Sequence, residues 1–296
     1  MILRYGGSNV EKLIIPKSLN EFGIYQISNQ KLKFIDTTTN SNPNFKVVKK
    51  DGVTISTEKD AGDKMLLDQN NKLLCYFATA ESKITIPSTI TEACERCLQN
   101  CQSISELELN CKKVDRLLLN DDTVGTKRNY TIVIGSGVKV LDALFNYGSY
   151  GYKINIKDND QFYFENGILY EKTSKNEYIV KRLIALSNDN GVTIPEKVNN
   201  LNVTGIGDNA FAYRSKLSKI NIPINIKSIG NGAFWGDPDL TDVTILNKEL
   251  TLGVNCFYIC PNLNNIYMPT TQANNKISGA PWGATKGERV VKWASQ

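Results

Sequence analysis

The sequence contains no histidine. This absence excludes Ser-His-Asp and Cys-His catalytic systems and every zinc site that uses histidine. No segment reads G-x-x-x-x-G-K-[ST], so the phosphate-binding loop of nucleotide hydrolases is also missing. These gaps argue against an enzyme of the common hydrolase types, and we expect no cofactor.

Charge and hydropathy bear on two further classes of protein. The 296 residues include 35 basic and 30 acidic side chains, for a formal charge of +5, and the basic ones are not concentrated in a run. Because nucleic-acid binding normally leaves such a run, we expect no nucleic-acid partner. No apolar stretch approaches the roughly 18 to 20 residues of a membrane-spanning helix. We therefore expect no membrane span in this chain, and its opening residues lack the pattern of a signal peptide.

A 23-residue repeat dominates what is present. Five columns keep this step: Gly207, Gly230 and Gly253; Ala210, Ala233 and Cys256; Phe211, Phe234 and Phe257; Leu217, Leu240 and Leu263; Ile220, Val243 and Ile266. A fixed period of roughly 20 to 29 residues with a leucine frame is typical of a leucine-rich repeat solenoid.

Each repeat unit reads L-x-x-I-x-I-P, then about six residues, then I-G-x-x-A-F-x-x-C-x-x-L. The I-x-I alternation predicts a half-buried strand that stacks in parallel on its neighbours, and the proline after it ends the strand. The A-F-x-x-C segment predicts a short helical turn on the opposite side. The fold class is therefore a β-rich (α/β) leucine-rich repeat solenoid, with parallel strands on one face and short helical or 3-10 turns on the other.

One glycine cluster resembles a nucleotide site. Gly230-x-Gly232 followed by Gly236 is one residue off the dinucleotide fingerprint. Gly230 recurs as Gly207 and Gly253 without the remaining spacing of that fingerprint. We therefore interpret the cluster as structural, with Gly230 at a turn between the strand and the outer segment.

The seven cysteines offer a possible metal site, because Cys94-x2-Cys97-x3-Cys101 has a spacing that zinc or an iron-sulfur cluster could use. Four cysteines instead occupy repeat columns that should face the core: Cys97, Cys101, Cys256 and Cys260. Three have no such place: Cys75, Cys94 and Cys111. We predict no metal site.

Acidic residues could still support catalysis without histidine, since glycoside cleavage needs only two suitably spaced carboxylates. No such pair stands out. The acidic runs, among them Asp158-Asn159-Asp160, lack the glutamate that closes a calcium-binding EF-hand loop, and Asp, Asn and Gly favour tight turns for backbone reasons. We interpret them as turns.

The motifs "VTGIGDNAFAYRSKLSKINIP" and "IKSIGNGAFWGDPDLTDVTI" resemble the BspA-like leucine-rich repeats of bacterial and some protist surface proteins. Members of this family often carry a hairpin-like insert, and residues 165–195 and 63–87 resemble it. Residues 192–269 fit the repeat tightly, and residues 84–109 and 130–156 fit it with substitutions. Residues 9–36 begin in the second half of a unit, so we expect the array to start within a repeat.

The expected organisation is one array over residues 1–273, with hairpin inserts near 63–80 and 162–187 that project from it. A capping segment over residues 274–296 follows. A solenoid needs its last open turn covered, and we expect Trp282, Val290, Val291 and Trp293 to cover it.

The residue between the two inward positions of each strand should form a row on the solvent face. This candidate partner-binding face consists of Ile14, Thr85, Glu108, Leu118, Val133, Asn155, Thr193, Asn221, Thr244 and Tyr267. Repeat proteins use regular faces of this kind to bind extended partners. Leu118 and Val133 attract notice because apolar residues that point outward can form a contact patch.

The resemblance implies a non-catalytic, protein-binding module of a cell-surface or secreted protein, acting in adhesion or recognition of a host or bacterial surface protein. Two alternatives stay open. The chain could be a structural, phage-tail-associated repeat protein, since the segment around Pro281-Trp282-Gly283-Ala284 resembles a tail found in some phage-associated proteins. It could also be a carbohydrate-active enzyme built on a repeat array.

Overall fold

The computed structural model describes the chain in segments. The described residues are 12–21, 34–36, 42–49, 64–77, 82–94, 97–98, 101, 104–115, 130–141, 153–184, 192–214, 216–271, 277 and 279–294. They fall into two compact units, the first ending at Asn159 and the second beginning at Asp160. The division into an array over 1–273 and a cap over 274–296 stays a prediction.

The first unit is built of short strands. In chain order they are β1 (Lys12–Ile14), β2 (Phe34–Asp36), β3 (Phe45–Lys49), β4 (Lys64–Asp68), β5 (Lys72–Phe77), β6 (Lys83–Ile86), β7 (Glu92–Ala93), β8 (Glu106–Leu109), β9 (Lys113–Val114), β10 (Thr131–Ile134), β11 (Val140–Leu141) and β12 (Lys153–Ile156). Strands β6, β8, β10 and β12 form a parallel sheet, and β1 pairs with β2 in parallel. A mixed sheet runs in the order β11-β9-β7-β5-β4-β3.

The second unit repeats this plan. Its strands are β13 (Phe162–Glu165), β14 (Ile168–Lys172), β15 (Tyr178–Leu183), β16 (Val192–Thr193), β17 (Lys197–Val198), β18 (Leu201–Ile206), β19 (Lys219–Ile222), β20 (Ser228–Ile229), β21 (Asp242–Ile245), β22 (Thr251–Leu252), β23 (Asn265–Tyr267) and β24 (Val291–Lys292). A parallel sheet runs in the order β16-β19-β21-β23-β24, and a mixed sheet in the order β13-β14-β15-β18-β20-β22.

The long strands of the parallel sheets follow from their alternating sequences. K-I-N-I in β19 and D-V-T-I in β21 bury every second residue, because successive side chains of a strand point to opposite faces. Lys219 pairs with Asp242, and Asp242 with Asn265, which is 23 residues at each step. The predicted period is therefore the period of the coils, and the prediction of stacked parallel strands is confirmed.

The repeated phenylalanines form one continuous interior column. The rings of Phe211 and Phe234 stack with centroids 5.0 Å apart, and those of Phe234 and Phe257 with centroids 5.3 Å apart. All three side chains are fully buried. The column follows from the repeat, since each coil places its phenylalanine directly above the one before.

The prediction of short helical or 3-10 turns on the outer face is not supported. In these segments alternate N–H groups bond to the next coil instead of to their own: Phe211 N–H donates to the Ala233 oxygen at 2.7 Å, and Phe234 N–H to the Cys256 oxygen at 2.9 Å. Each segment also contains a left-handed residue near its start, which a right-handed helix excludes. These residues are Asn209, Gly232 and Asn255, with φ of 54°, 57° and 56°. Among the described residues the one helical element is a 3-10 helix at Gly287–Val290.

Gly230 is required by close packing between coils. A Cβ atom at this position would lie 2.5 Å from the nitrogen of Asp208 and 2.6 Å from the carbonyl carbon of Gly207, both backbone atoms of the preceding coil. The structural interpretation of the glycine cluster is thus supported, with a different cause for Gly230. The left-handed turns fall on Gly232 and Gly236, whose φ values are +57° and +72°.

Replacing Gly230 by alanine should lower the free energy of unfolding by about 1–3 kcal/mol, the usual range for overpacking a well-packed site. Gly207 is the matched control, because a Cβ atom there would lie 3.1 Å from the Val180 oxygen. We expect Gly207→Ala to cost less than about 1 kcal/mol. Urea denaturation of both variants tests this prediction. Equal losses in the free energy of unfolding would show that close packing between coils does not require glycine at position 230.

Antiparallel hairpins occupy both predicted insert regions. β3, β4 and β5 pair antiparallel, as do β13, β14 and β15. They do not project from the sheets, because the last strand of each hairpin pairs in parallel with a strand of the solenoid. These pairs are β5 with β7 and β15 with β18. Each insert therefore extends a sheet of its own unit.

The C-terminal residues pack onto the last coil of the second unit. β24 pairs in parallel with β23, and the N–H of Phe257 donates to the Trp282 oxygen at 3.1 Å. Trp282, Val290 and Val291 are buried in the core of this unit, and Trp293 packs against it while half-buried. These side chains therefore continue the core of this unit, and their role as a cap stays a prediction.

Candidate binding surface

The parallel sheet of the second unit carries a row of outward side chains, which we name the unit 2 row: Thr193, Asn221, Thr244 and Tyr267. They are register partners on β16, β19, β21 and β23. Their chain neighbours Ile220, Val243 and Ile266 are buried, so the row residues point away from the core. Thr193 and Asn221 are exposed, Thr244 is half-buried, and Tyr267 is 43% exposed.

The polar groups of the unit 2 row are available to a ligand. Among the residues that the structure describes, none of these four side chains forms a hydrogen bond. Hydroxyls both donate and accept, and the Asn221 amide has two donors and one acceptor oxygen. The row can therefore donate to the carbonyl oxygens of a partner and can accept from its N–H groups.

The charged row beside the unit 2 row is internally neutralised. Lys219 Nζ lies 3.7 Å from Asp242 Oδ2, and Asn265 Nδ2 donates to Asp242 Oδ1 at 2.7 Å. The hydrogen bond from Asn265 lowers the pKa of Asp242 below its usual value, with further help from Thr241 and Lys219. The sheet therefore offers a partner no unpaired carboxylate in this row.

Apolar side chains lie on the other flank of the unit 2 row. Leu246 directly follows β21 and is 49% exposed, and Ile224, two residues after β19, is 63% exposed. Pro223 and Pro269 stand at the equivalent strand ends, half-buried and exposed respectively. This face thus combines neutral polar groups, one aromatic ring and a short apolar margin.

The first unit carries an equivalent row, the unit 1 row: Thr85, Glu108, Val133 and Asn155. These residues are register partners on β6, β8, β10 and β12. Asn155 is exposed, and Thr85 and Glu108 are half-buried. The geometry of the predicted row is therefore present in this unit too, but its chemistry differs.

Val133 does not form an accessible contact patch, contrary to the sequence prediction, because it is only 9% exposed. Glu108 on β8 and Lys157, directly after β12, form an ion pair with Nζ–Oε1 of 2.8 Å. Since β8 and β12 lie on opposite sides of β10, this pair spans the strand that carries Val133. The hydrogen bond from Lys157 also lowers the pKa of Glu108.

The two remaining residues of the candidate face stand apart from these rows. Ile14 is 44% exposed and pairs with Asp36 in the separate β1-β2 sheet. Leu118 lies outside the described residues, so its place on the face stays a prediction.

All seven cysteines are buried and in the thiol form, including the four that the repeat assigns to the core. Burial raises the pKa of Cys94, Cys111, Cys256 and Cys260 to about 12, so these thiols stay protonated at neutral pH. Within the described ranges, no group of three or more cysteine or acidic side chains is arranged to hold a metal ion.

The acidic run Asp158-Asn159-Asp160 has a turn role. Asp158 has a left-handed φ of 52°, and Asn159 Nδ2 donates to the carbonyl oxygens of Gly135 and Val138 at 2.7 and 2.9 Å. The asparagine therefore fastens one coil to the previous one. The other acidic runs, at 121–122 and 188–191, lie outside the described residues.

The second unit contains a buried charged cluster that the sequence did not predict. Asp237 is fully buried, and its Oδ1 accepts the N–H of Arg214 at 2.6 Å. Arg214 and Arg182 are also buried, and Arg182 donates to the carbonyl oxygens of Asn209 and Ala212. Burial raises the pKa of Asp237 to about 8, although the Arg214 backbone N–H and the two guanidiniums oppose the rise. Arg214 and Asp237 occupy the cysteine column of the repeat, so following that column along the chain would have revealed them.

Coils of parallel strands, stacked at a fixed step around one interior column, define a leucine-rich repeat β-solenoid. Residues 74–120 and 189–280 match the model of the BspA type leucine-rich repeat region, in six copies. These two segments therefore consist of BspA type leucine-rich repeats. Among the described residues, no helix has the length and hydropathy to cross a membrane.

Solved structures of bacterial leucine-rich repeat proteins resemble the chain. A leucine-rich repeat protein from Bacteroides capillosus is 20% identical, with 46% of this chain and 100% of that chain covered and a TM-score of 0.40. A leucine-rich cell surface protein from Faecalibacterium prausnitzii is 17% identical, with coverage of 73% and 83% and a TM-score of 0.36. A leucine-rich repeat protein from Eubacterium ventriosum is 19% identical, with coverage of 79% and 77% and a TM-score of 0.48. The search of curated proteins found no match.

Proposed function

We propose that the chain is a non-catalytic, protein-binding module that recognises a partner at a cell surface through its strand faces. The unit 2 row carries this proposal, because its hydroxyl and amide groups are in register, point outward and lack hydrogen bonds among the described residues. Regular rows on repeat arrays suit extended partners. The BspA-type repeat favours a location on a bacterial surface or in a secreted protein.

The unit 2 row is a better candidate than the unit 1 row. In the unit 1 row, Glu108 already pairs with Lys157 and Asn110, and Val133 is buried. A partner would have to displace an ion pair before it reached this surface. In the unit 2 row, a partner would displace only water, so binding there costs less.

Capture of a protein from bacterial or host surface extracts by the immobilised chain tests the proposal. We expect the double variant Thr244→Arg/Tyr267→Asp to lose most of the captured partner, because it adds charge and bulk to the row. The matched control is Thr85→Arg/Asn155→Asp, which makes the same kind of change in the unit 1 row and should retain capture. Equal capture by the wild type and the Thr244→Arg/Tyr267→Asp variant would contradict the proposal.

A further inference from the structure

The unit 2 row imposes a spacing on any partner that lies across it. Adjacent strands are about 4.8 Å apart, so the row from Thr193 to Tyr267 spans three steps, or about 14 Å. A polyproline II helix rises about 3.1 Å per residue with three residues per turn, which makes one turn about 9.3 Å. One such turn nearly equals two strand steps, so equivalent residues of the helix would meet every second strand.

Other peptide conformations fit this row less well. A peptide in β conformation repeats its side chains on one face about every 6.6 Å, which falls out of step with strands 4.8 Å apart. An α-helix has a turn of about 5.4 Å and uses its carbonyl oxygens in internal hydrogen bonds. A polyproline II segment has no internal hydrogen bonds, and its carbonyl oxygens remain free to accept.

The side chains of the row match that need. Asn221, Thr244 and Tyr267 can each donate a hydrogen bond and have no partner among the described residues. Tyr267, at 43% exposure, and Leu246, at 49%, offer apolar surface to proline rings. Aromatic-lined surfaces with nearby donors are a recurring means of binding proline-rich segments.

Charge favours an uncharged segment. Lys219 and Asp242 pair with each other beside the row, and the row itself carries no charge from Thr193 to Tyr267. Lys292, the next register partner on β24, directs its Nζ to the Arg289 oxygen at 2.8 Å. A strongly acidic or basic partner would find no opposite charge in the row between Thr193 and Tyr267.

We propose that the unit 2 row binds an uncharged, proline-rich segment of the partner protein in the polyproline II conformation, lying across β16, β19, β21 and β23. The inference rests on the proposed function and names the chemistry of its partner. About five residues of such a segment cover the 14 Å of the row, because each contributes about 3.1 Å.

Titration of the full chain with a fluorescent, uncharged proline-rich peptide of about 12 residues tests the inference. A glycine-serine peptide of equal length controls for nonspecific peptide binding, and a neutral glucan tests the competing carbohydrate ligand. We expect saturable binding of the proline-rich peptide alone. Tyr267→Ala should weaken it about tenfold or more, as hot-spot tyrosines do, and Asn221→Ala severalfold. Asn155→Ala, an exposed residue of the unit 1 row, should leave the affinity unchanged.

The outcomes separate this inference from the proposed function. If surface-extract capture depends on Thr244 and Tyr267 but the proline-rich peptide does not bind, the inference fails and the proposed function stands. Binding of the glucan or the glycine-serine peptide with equal affinity also overturns the inference, as does peptide binding that Tyr267→Ala leaves intact. Equal urea midpoints for all variants establish that the exposed substitutions do not unfold the chain.

Discussion

Replacing Phe234 by alanine should lower the free energy of unfolding by about 3–5 kcal/mol, the range for removing a buried aromatic side chain. Phe234 is the middle ring of the column, stacked on Phe211 at 5.0 Å and on Phe257 at 5.3 Å. Its loss therefore removes two ring contacts and leaves a cavity between coils. Since most domains are stable by only about 5–15 kcal/mol, this is a large fraction of the total.

Tyr258→Ala is the matched control for this prediction. Tyr258 is also aromatic and lies in the same kind of segment, but it is 44% exposed. Removing its ring should lower the free energy of unfolding by about 1 kcal/mol. The ring of Tyr258 buries less apolar surface than that of Phe234, and its removal leaves no closed cavity. Urea denaturation gives the difference in stability, and amide hydrogen exchange should show reduced protection in β18–β23 for Phe234→Ala. Similar losses for the two variants would contradict a packed interior column.

Stability should fall as the pH rises from about 5 to 8.5, and Asp237 should be the cause. Its pKa in the folded chain is about 8, against 3.8 for an ordinary aspartate. Between these values the folded chain holds a proton that the unfolded chain has lost, so the unfolded state binds fewer protons. The stabilisation is complete below pH 3.8 and is lost as the pH rises through 8, with a slope of at most about 1.4 kcal/mol per pH unit.

Asp237→Asn isolates this effect, because the amide resembles the protonated carboxyl and can still accept the Arg214 N–H. The variant should show a flatter profile between pH 5 and 8.5, and it should be more stable than the wild type at pH 8.5. The carboxylates whose pKa values are lowered, such as Glu108 and Asp242, titrate below this window. Urea midpoints across the pH range test the prediction. A wild-type stability that rises with pH would show that the arginine charges keep Asp237 ionised.

The sequence predicted those features that one coil repeats in the next. The step of 23 residues, the parallel strands, the phenylalanine column and four of the seven buried cysteines follow from a single coil pattern applied several times. The outward positions of Asn221, Thr244 and Tyr267 follow in the same way, because alternation within one strand determines which side chains face solvent.

Features that depend on contacts between coils were harder to predict. The outer segments were expected to be helical, but alternate N–H groups in them bond to the next coil. Asn209 also adopts a left-handed φ, which asparagine tolerates but does not require. Val133 was expected to be accessible, but it is buried, and an ion pair between Lys157 and Glu108 spans its strand β10. Nothing in the local sequence of β10 indicates this ion pair. The pairing of Arg214 with Asp237 likewise links two coils.

Long-range amide–amide NOEs in a deuterated sample test the central claim most directly, which is that the 23-residue step sets the register of the strands. We expect cross-peaks that link the strand segments around Asn221, Thr244 and Tyr267 in parallel, each 23 residues from the next. Cross-peaks in a shifted or antiparallel register, or none between these segments, would contradict it.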